Sequence, residues 1–145
     1  DELSQIYNVF KGEMSFVGPR PNTYKWGVNL YTNKEKELLK IKPGITDFSS
    51  IIFSDENVIL QNSINPDEDY NLIIRPWKSR FGLLYLEKNN FIVDISLILI
   101  TLIAILNKLL ALKLLVFLLR KINASKVLIK VAKREHEIPI IEPPI

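Results

Sequence analysis

DELSQIYNVFKGEMSFVGPRP, residues 1–21, decides most of what this chain's sequence tells. Leu3, Ile6, Tyr7 and Phe10 stand at i, i+3, i+4 and i+7 spacing. That spacing puts one apolar face on a short helix over 1–12, and Gly12 is a natural stop. MSFV (14–17) reads as a short strand. GPRPN (18–22) must then turn, because each proline fixes its own φ and Pro21 pushes Arg20 out of the helical region.

Two features of this stretch suggest chemistry. Asp1 and Glu2 are adjacent carboxylates at the start of the expected helix. A helix start favours negative charge and offers free N–H groups. Two acids there can hold Mg²⁺, and one can act as a nucleophile. The bland alternative is that they only stabilise the first turn. Arg20, between Pro19 and Pro21, carries a planar guanidinium on a stiff turn, pre-organised for bidentate binding of phosphate. Its bland alternative is an ion pair with a carboxylate.

Outward from this stretch, NKEKELLKI (33–41) reads as a helix capped by Asn33. KPGI (42–45) suits a type II turn, ITDFSSIIF (45–53) a strand, and SDEN (54–57) a loop or helix start. NPDEDY (65–70) opens another helix, with Asn65 as cap and Pro66 at its first position. FIVDISLILITLIAIL (91–106) has 16 residues and a single charge, Asp94. Glu87, Asp94, Thr101 and Lys108 recur every seven residues, so they form one narrow polar stripe on an apolar helix. A buried core helix, a helix at a membrane interface and a spanning helix all remain open here. LLALKLLVFLLRK (109–121) continues the theme, and the last residues, IPIIEPPI, read as an extended tail.

Charge is uneven. Residues 1–107 hold 11 Lys/Arg against 13 Asp/Glu, and residues 108–145 hold 8 against 3. All eight basic residues of the second part lie between Lys108 and Arg134, among Leu, Ile and Val. Basic and apolar together point first to an anionic membrane surface and second to nucleic acid. Phe117 is the one aromatic there, whereas nucleic-acid segments interleave several, so the membrane is preferred. There is no cysteine, which excludes disulfides, thiolate nucleophiles and Cys-ligated metals. His136 is the single histidine, so a His-rich metal site is ruled out and any metal should be a hard ion on carboxylates. The chain starts with Asp rather than Met, and is expected to be a fragment or a processed chain.

The first stretch closely resembles DELPQ…NV..G.MS.VGPRP, the signature of the bacterial sugar transferases. These are monotopic phosphoglycosyl transferases that act on polyprenol phosphate. KPGIT (42–46) is similar to the family's next motif, and LLYLEKNNFIVDISLILITLIAIL (83–106) to its C-terminal segment. The resemblance covers roughly residues 1–106. It implies transfer of a phospho-sugar from a UDP-sugar to polyprenol (undecaprenyl) phosphate, with release of UMP. It further implies that Asp1 is the nucleophile and forms a covalent intermediate, that Glu2 helps hold Mg²⁺, and that Pro19, Arg20 and Pro21 line the nucleotide-phosphate site. The chain departs from the pattern at Ser4, where the family has Pro, and at Ser54, where an Arg is frequent. Arg75 or Arg80 is a candidate replacement for that Arg, against the plainer reading of both as surface or membrane-facing charge. The family's N-terminal membrane hairpin and the basic segment before the dyad are not in this sequence.

The expected fold is therefore α/β mixed and helix-rich, a small compact membrane-associated domain with short strands and C-terminal amphipathic helices. Residues 1–106 form the catalytic unit; 107–145 are a basic membrane-surface extension with a Pro-rich tail. The expected partners are a UDP-sugar, polyprenol phosphate and the anionic cytoplasmic leaflet of a bacterial inner membrane, with no nucleic acid. The rival readings are a non-catalytic or degenerate membrane-surface module and a basic nucleic-acid-binding protein.

Overall fold

The GPRP and KPGIT motifs end two short parallel strands that lie side by side. In the computed structural model, which describes residues 2–20 and 27–145 and only the backbone of Glu2, β1 (Ser15–Val17) pairs with β2 (Gly44–Thr46). The register sets Ser15 opposite Gly44 and Val17 opposite Thr46. Helix α1 (Glu2–Phe10) precedes β1, and Gly12 turns the chain with φ +79°. Both follow the sequence reading.

The type II turn expected at Pro43–Gly44 is not formed. Gly12 is the one glycine with positive φ, and Gly44 is part of β2. Glycine is needed at position 44 for closeness instead: a Cβ there would lie 2.0 Å from the amide nitrogen of Gly18.

The strand expected over 45–53 stops at Thr46, and helix α2 (Phe48–Ile52) takes its place. Asp47 is the reason. Its extended backbone ends the strand, and its carboxylate accepts from Ser50 N at 2.8 Å, capping the helix. The β-branched run that suggested a strand is buried on a helix: Phe48, Ile51, Ile52 and Phe53 all join the core. The helix expected over 33–41 forms as a 3-10 helix at Glu35–Lys40, after a shorter 3-10 turn at Val28–Leu30.

Short helices α3 (Glu56–Ile59) and α4 (Pro66–Asp69) lead through a π-helical turn (Tyr70–Ile74) into α5 (Arg75–Lys88). Helix α6 (Phe91–Leu106) follows, capped by Asn90, whose side chain accepts from Val93 N. Asn107 then ends α6 and caps α7 (Lys108–Lys121) by accepting from Leu110 N at 3.0 Å. The apolar stretch 109–134 is not one helix. Asn123 takes a left-handed conformation (φ 58°), and α8 (Lys126–Lys133) starts afresh with Ser125 as its cap.

The core crosses the junction between the two halves of the sequence. Val17, the α2 side chains, Trp77, Phe81 and Leu97 share one cluster with Ala111, Leu112, Leu115, Val116 and Leu119 of α7. Phe53 packs edge-on against Phe81, ring centroids 6.4 Å apart. Each large apolar side chain buried this way is worth about 1.5–3 kcal/mol.

The expected polar stripe is not on one helix: Glu87 is on α5 and Lys108 on α7, and only Asp94 and Thr101 share α6, where they face inward. Asp94 accepts from the Tyr85 hydroxyl at 2.7 Å, Thr101 and Thr46 share a 2.6 Å hydrogen bond, and Lys108 pairs with Asp55 at 2.8 Å. Glu87, on α5, stays outside with Lys88. Ile92, Ile95, Leu99, Leu102 and Leu106 occupy the opposite side of α6 and are exposed. Among the described residues, no helix is long and apolar enough to cross a membrane.

Candidate functional site

The site is built where both parallel strands end. Gly18 N donates to Thr46 O at 3.0 Å, so β1 and β2 stay joined to the point where Pro19 and Asp47 diverge. This is the end of a parallel sheet at which ligand crevices form. A Cβ on Gly18 would lie 2.8 Å from Lys42 O, so both motif glycines let the two backbones touch. Pro19 is buried, and its ring lies close to Gly82 of α5. That contact anchors the turn that carries Arg20.

Arg20 itself is exposed, and its Nη2 donates to Gln5 Oε1 at 2.7 Å. Gln5 lies in α1, one turn past the Asp1–Glu2 pair. The structure thus brings the Pro-Arg turn beside the first turn of that helix. Asp1, Pro21 and the Glu2 side chain lie outside the described residues. Gln5 was passed over in the reading of single residues, although it stands inside the DELSQ motif.

A small cavity opens beside Arg20, walled by Pro19, Asp47, Ser49, Arg75, Lys78 and Ser79. Two of its walls are saturated. Asp47 accepts from Ser49 Oγ, Ser50 N and Ser50 Oγ. Arg75 is buried and is neither a surface charge nor a free phosphate contact. Its Nε and Nη2 each reach Glu35 at 3.2 Å, Nη2 also donates to Leu30 O, and Nη1 donates to Asn71. Glu35, fully buried, also accepts from Ser79 Oγ and Thr32 N. A buried ion pair must satisfy its remaining lone pairs in this way to be tolerated.

Arg80 points elsewhere. Its Nη1 donates to Pro76 O, and its guanidinium sits over Trp77, 5.7 Å from the ring centroid. It lines a different, open groove formed with Trp77, Leu84, Leu128 and Ile141. The cation that shares the cavity with Arg20 and Arg75 is Lys78, which carried no signal in the reading of single residues. Lys78 Nζ is 2.6 Å from Glu56 and 5.2 Å from the Tyr70 ring. Burial pulls the Lys78 ammonium down, but Tyr70 and Glu56 outweigh it and hold its pKa above the usual lysine value. It is therefore charged at neutral pH. Ser54, where the family pattern has an Arg, is exposed in the turn after α2.

Among the described residues, no group of three or more acids or histidines is arranged to hold a metal. The acids nearest the cavity, Glu35 and Asp47, are consumed by internal partners. A tyrosine–carboxylate bond joins α5 to α6. Burial and the neighbouring Asp94 push the Tyr85 hydroxyl well above the usual tyrosine range, so it stays protonated and donates to Asp94.

The Gly18–Arg20 turn set against the KPGIT strand, with a small cavity beside the start of a helix, is the site of a helix-rich α/β domain. Residues 1–108 match the family model described as "Bacterial sugar transferase", and the chain belongs to that family. It is 47% identical over 51 residues to the "Uncharacterized sugar transferase EpsL" of Bacillus subtilis, covering 35% of this chain and 25% of that protein. It is 40% identical over 79 residues to the "Galactosyl transferase CpsE" of Streptococcus agalactiae, covering 46% of this chain and 17% of the other. It is 43% identical over 56 residues to the "Undecaprenyl-phosphate glucose phosphotransferase" of Komagataeibacter xylinus, covering 35% and 10%. The chain thus spans a quarter or less of the length of these relatives. No solved structure matches.

Proposed function

We propose that this chain is the catalytic portion of a phosphoglycosyl transferase that moves a phospho-sugar from a UDP-sugar to undecaprenyl phosphate, giving an undecaprenyl-diphospho-sugar and UMP. The observation that carries the reading is the Arg20–Gln5 hydrogen bond, which sets a guanidinium on a stiff turn beside the helix start that bears Asp1 and Glu2. Family membership supports it, and so do relatives named for transfer of a sugar phosphate to undecaprenyl phosphate.

The reaction divides into two displacements. The Asp1 carboxylate attacks the sugar-bearing phosphorus; the bond from that phosphorus to the bridging oxygen breaks, and UMP leaves with the electron pair. A phosphate oxygen of the polyprenol phosphate then attacks the same phosphorus and expels the Asp1 carboxylate. A soluble donor and a lipid acceptor thereby use one site in turn. A diphosphate repels a carboxylate, so positive charge must screen it before Asp1 approaches. Arg20 supplies the bidentate part of that screening, while Lys78 at the cavity wall is paired with Glu56. Mg²⁺, held through Glu2, adds charge neutralisation when bound.

The acceptor's lipid tail requires a membrane, and two features suit one. The outer side of α6 is apolar, and Lys113, Arg120 and Lys121 are exposed on α7 together with Leu109, Leu110 and Phe117. Anionic lipid attracts each such basic residue by about 1 kcal/mol. The assigned place is the cytoplasmic face of a bacterial inner membrane, with exopolysaccharide or a related glycoconjugate as the eventual product. The same surface also serves the second reading, a membrane-surface module without catalysis.

Incubation with a UDP-sugar carrying radiolabel in the sugar phosphate separates the two. The enzyme accumulates label on protein when the acceptor is withheld, and Asp1→Asn abolishes both labelling and UMP release. Label that accumulates equally on the Asp1→Asn variant would exclude Asp1 as nucleophile. A wild-type protein that binds vesicles but never labels would favour the binding module.

A further inference from the structure

The last residues, 135–145, form no helix or strand, yet they are fastened to the body of the protein. Trp77 Nε1 donates to Pro139 O at 2.7 Å, and Thr32 Oγ1 donates to Pro144 O. Ile138, just before the first tie, and Ile141, between the two, pack against the hydrophobic core. Pro139, Pro143 and Pro144 fix three φ angles, which lowers the entropy lost in holding an extended segment.

The far anchor is at a sensitive place. Thr32 N donates to Glu35 Oε2 at 2.8 Å, and Glu35 N donates to Thr32 Oγ1 at 3.2 Å. This reciprocal pair orders the start of the 3-10 helix. The same Glu35 carboxylate holds Arg75 and Ser79, which wall the basic cavity. Pro144 is thus linked to the cavity wall through Thr32 and then Glu35. The segment 28–40 consists of 3-10 turns, whose hydrogen bonds are poorer than those of an α-helix, so it gains most from an outside brace.

We propose that residues 138–145 are a strap that positions this wall of the site, with Thr32 and Pro144 as its positioning residues. The strap lies beyond the stretch matched to the family, residues 1–108. Its effect on transfer rests on the proposed function; its effect on the 28–40 segment does not.

Hydrogen exchange read by mass spectrometry tests it on the whole chain, on chains ending at Glu142 and Glu137, and on Thr32→Val and Thr32→Ser. Amides of 28–40 should exchange about 10-fold faster or more in both shortened chains and in Thr32→Val, while helices α5 to α7 keep their protection. Thr32→Ser keeps both hydroxyl bonds and should behave as the unaltered chain. In a transfer assay the chain ending at Glu142 should show a raised KM for the UDP-sugar with little change in kcat. Unchanged exchange of 28–40 in the shortened chains would overturn the strap. Loss of protection throughout α5 to α7 on ending at Glu142 would overturn it as well, because the tail would then be part of the core. Faster exchange of 28–40 without any transfer activity in the unaltered chain would leave the strap standing and remove the transferase reading.

Discussion

Gly44 and Gly18 touch through their backbones. A Cβ on Gly44 would sit 2.0 Å from Gly18 N and 2.5 Å from Gly18 O, both rigid atoms. Gly44→Ala must therefore push β1 and β2 apart at the point where the site begins. It should cost about 3 kcal/mol or more, at the upper end of what overpacking does. Gly82→Ala is the control. Its Cβ would meet Leu38 Cδ2 at 2.8 Å, a flexible side-chain end, so the loss should be about 1 kcal/mol. Urea denaturation of the two variants checks the order.

Glu35 and Arg75 should fail separately and tolerate joint replacement better. Glu35→Gln leaves a buried guanidinium without its counter-charge, and Arg75→Gln leaves a buried carboxylate. Each should lose about 3–5 kcal/mol. The double variant should lose clearly less than the two added together. Equality of the double loss with the sum, in a double-mutant cycle, would show that the pair is not coupled.

Asp55 gives the protein an acid limb. Partial burial acts to raise its carboxyl, but Arg134 and Lys108 outweigh it and lower the pKa from 3.8 to about 2. A carboxyl depressed in the folded state adds stability above its unfolded pKa. That stability is lost as pH falls from about 4 towards 2. The pair of cations is partly solvated, so the contribution is about 1 kcal/mol after screening. Asp55→Asn should flatten stability across that window and leave the rest of the pH profile unchanged. The bond from Arg134 to Ile52 O remains as a second hold on α8.

Arg20→Lys keeps the charge and loses the fork. A loss of about 10-fold in kcat/KM is expected, equivalent to about 1.4 kcal/mol of transition-state stabilisation. Gln5→Ala frees the guanidinium and should cause a smaller loss of the same kind. An unchanged kcat/KM in Arg20→Lys would make Arg20 a structural residue.

The outer side of α6 can be tested in the intact chain. Leu99→Asp and Leu102→Asp change side chains that are more than half exposed, so folding should be little affected. Both should weaken binding to anionic vesicles in flotation assays. Lys113→Glu with Arg120→Glu should weaken it further and reduce its dependence on salt.

The local rules of the sequence were enough for α1, the stop at Gly12, β1 and the extended proline tail. Each depends on neighbours within one or two turns. The motif that identifies the family was legible as residue types, but Gly18 is needed because β2 touches it and Pro19 packs beside Gly82, both distant in sequence.

Other features needed partners distant in sequence. The period of Asp94, Thr101 and Lys108 was plain, but its direction was not, because Tyr85, Thr46 and Asp55 had first to be folded against it. The helix within the run 45–53 is the exception: Asp47 bonds Ser49 and Ser50, two and three residues away, a local capping signal. Arg75 was spent on Glu35, 40 residues earlier, and Lys78 on Glu56, 22 residues earlier, so Arg20 is the cavity cation held by a neutral partner, Gln5. The sequence by itself determined α1, β1 and the family motif this protein carries. The tertiary structure alone decided which charges are consumed in ion pairs and which remain at the site, since burial and pairing are properties of the packed chain rather than of any residue in it.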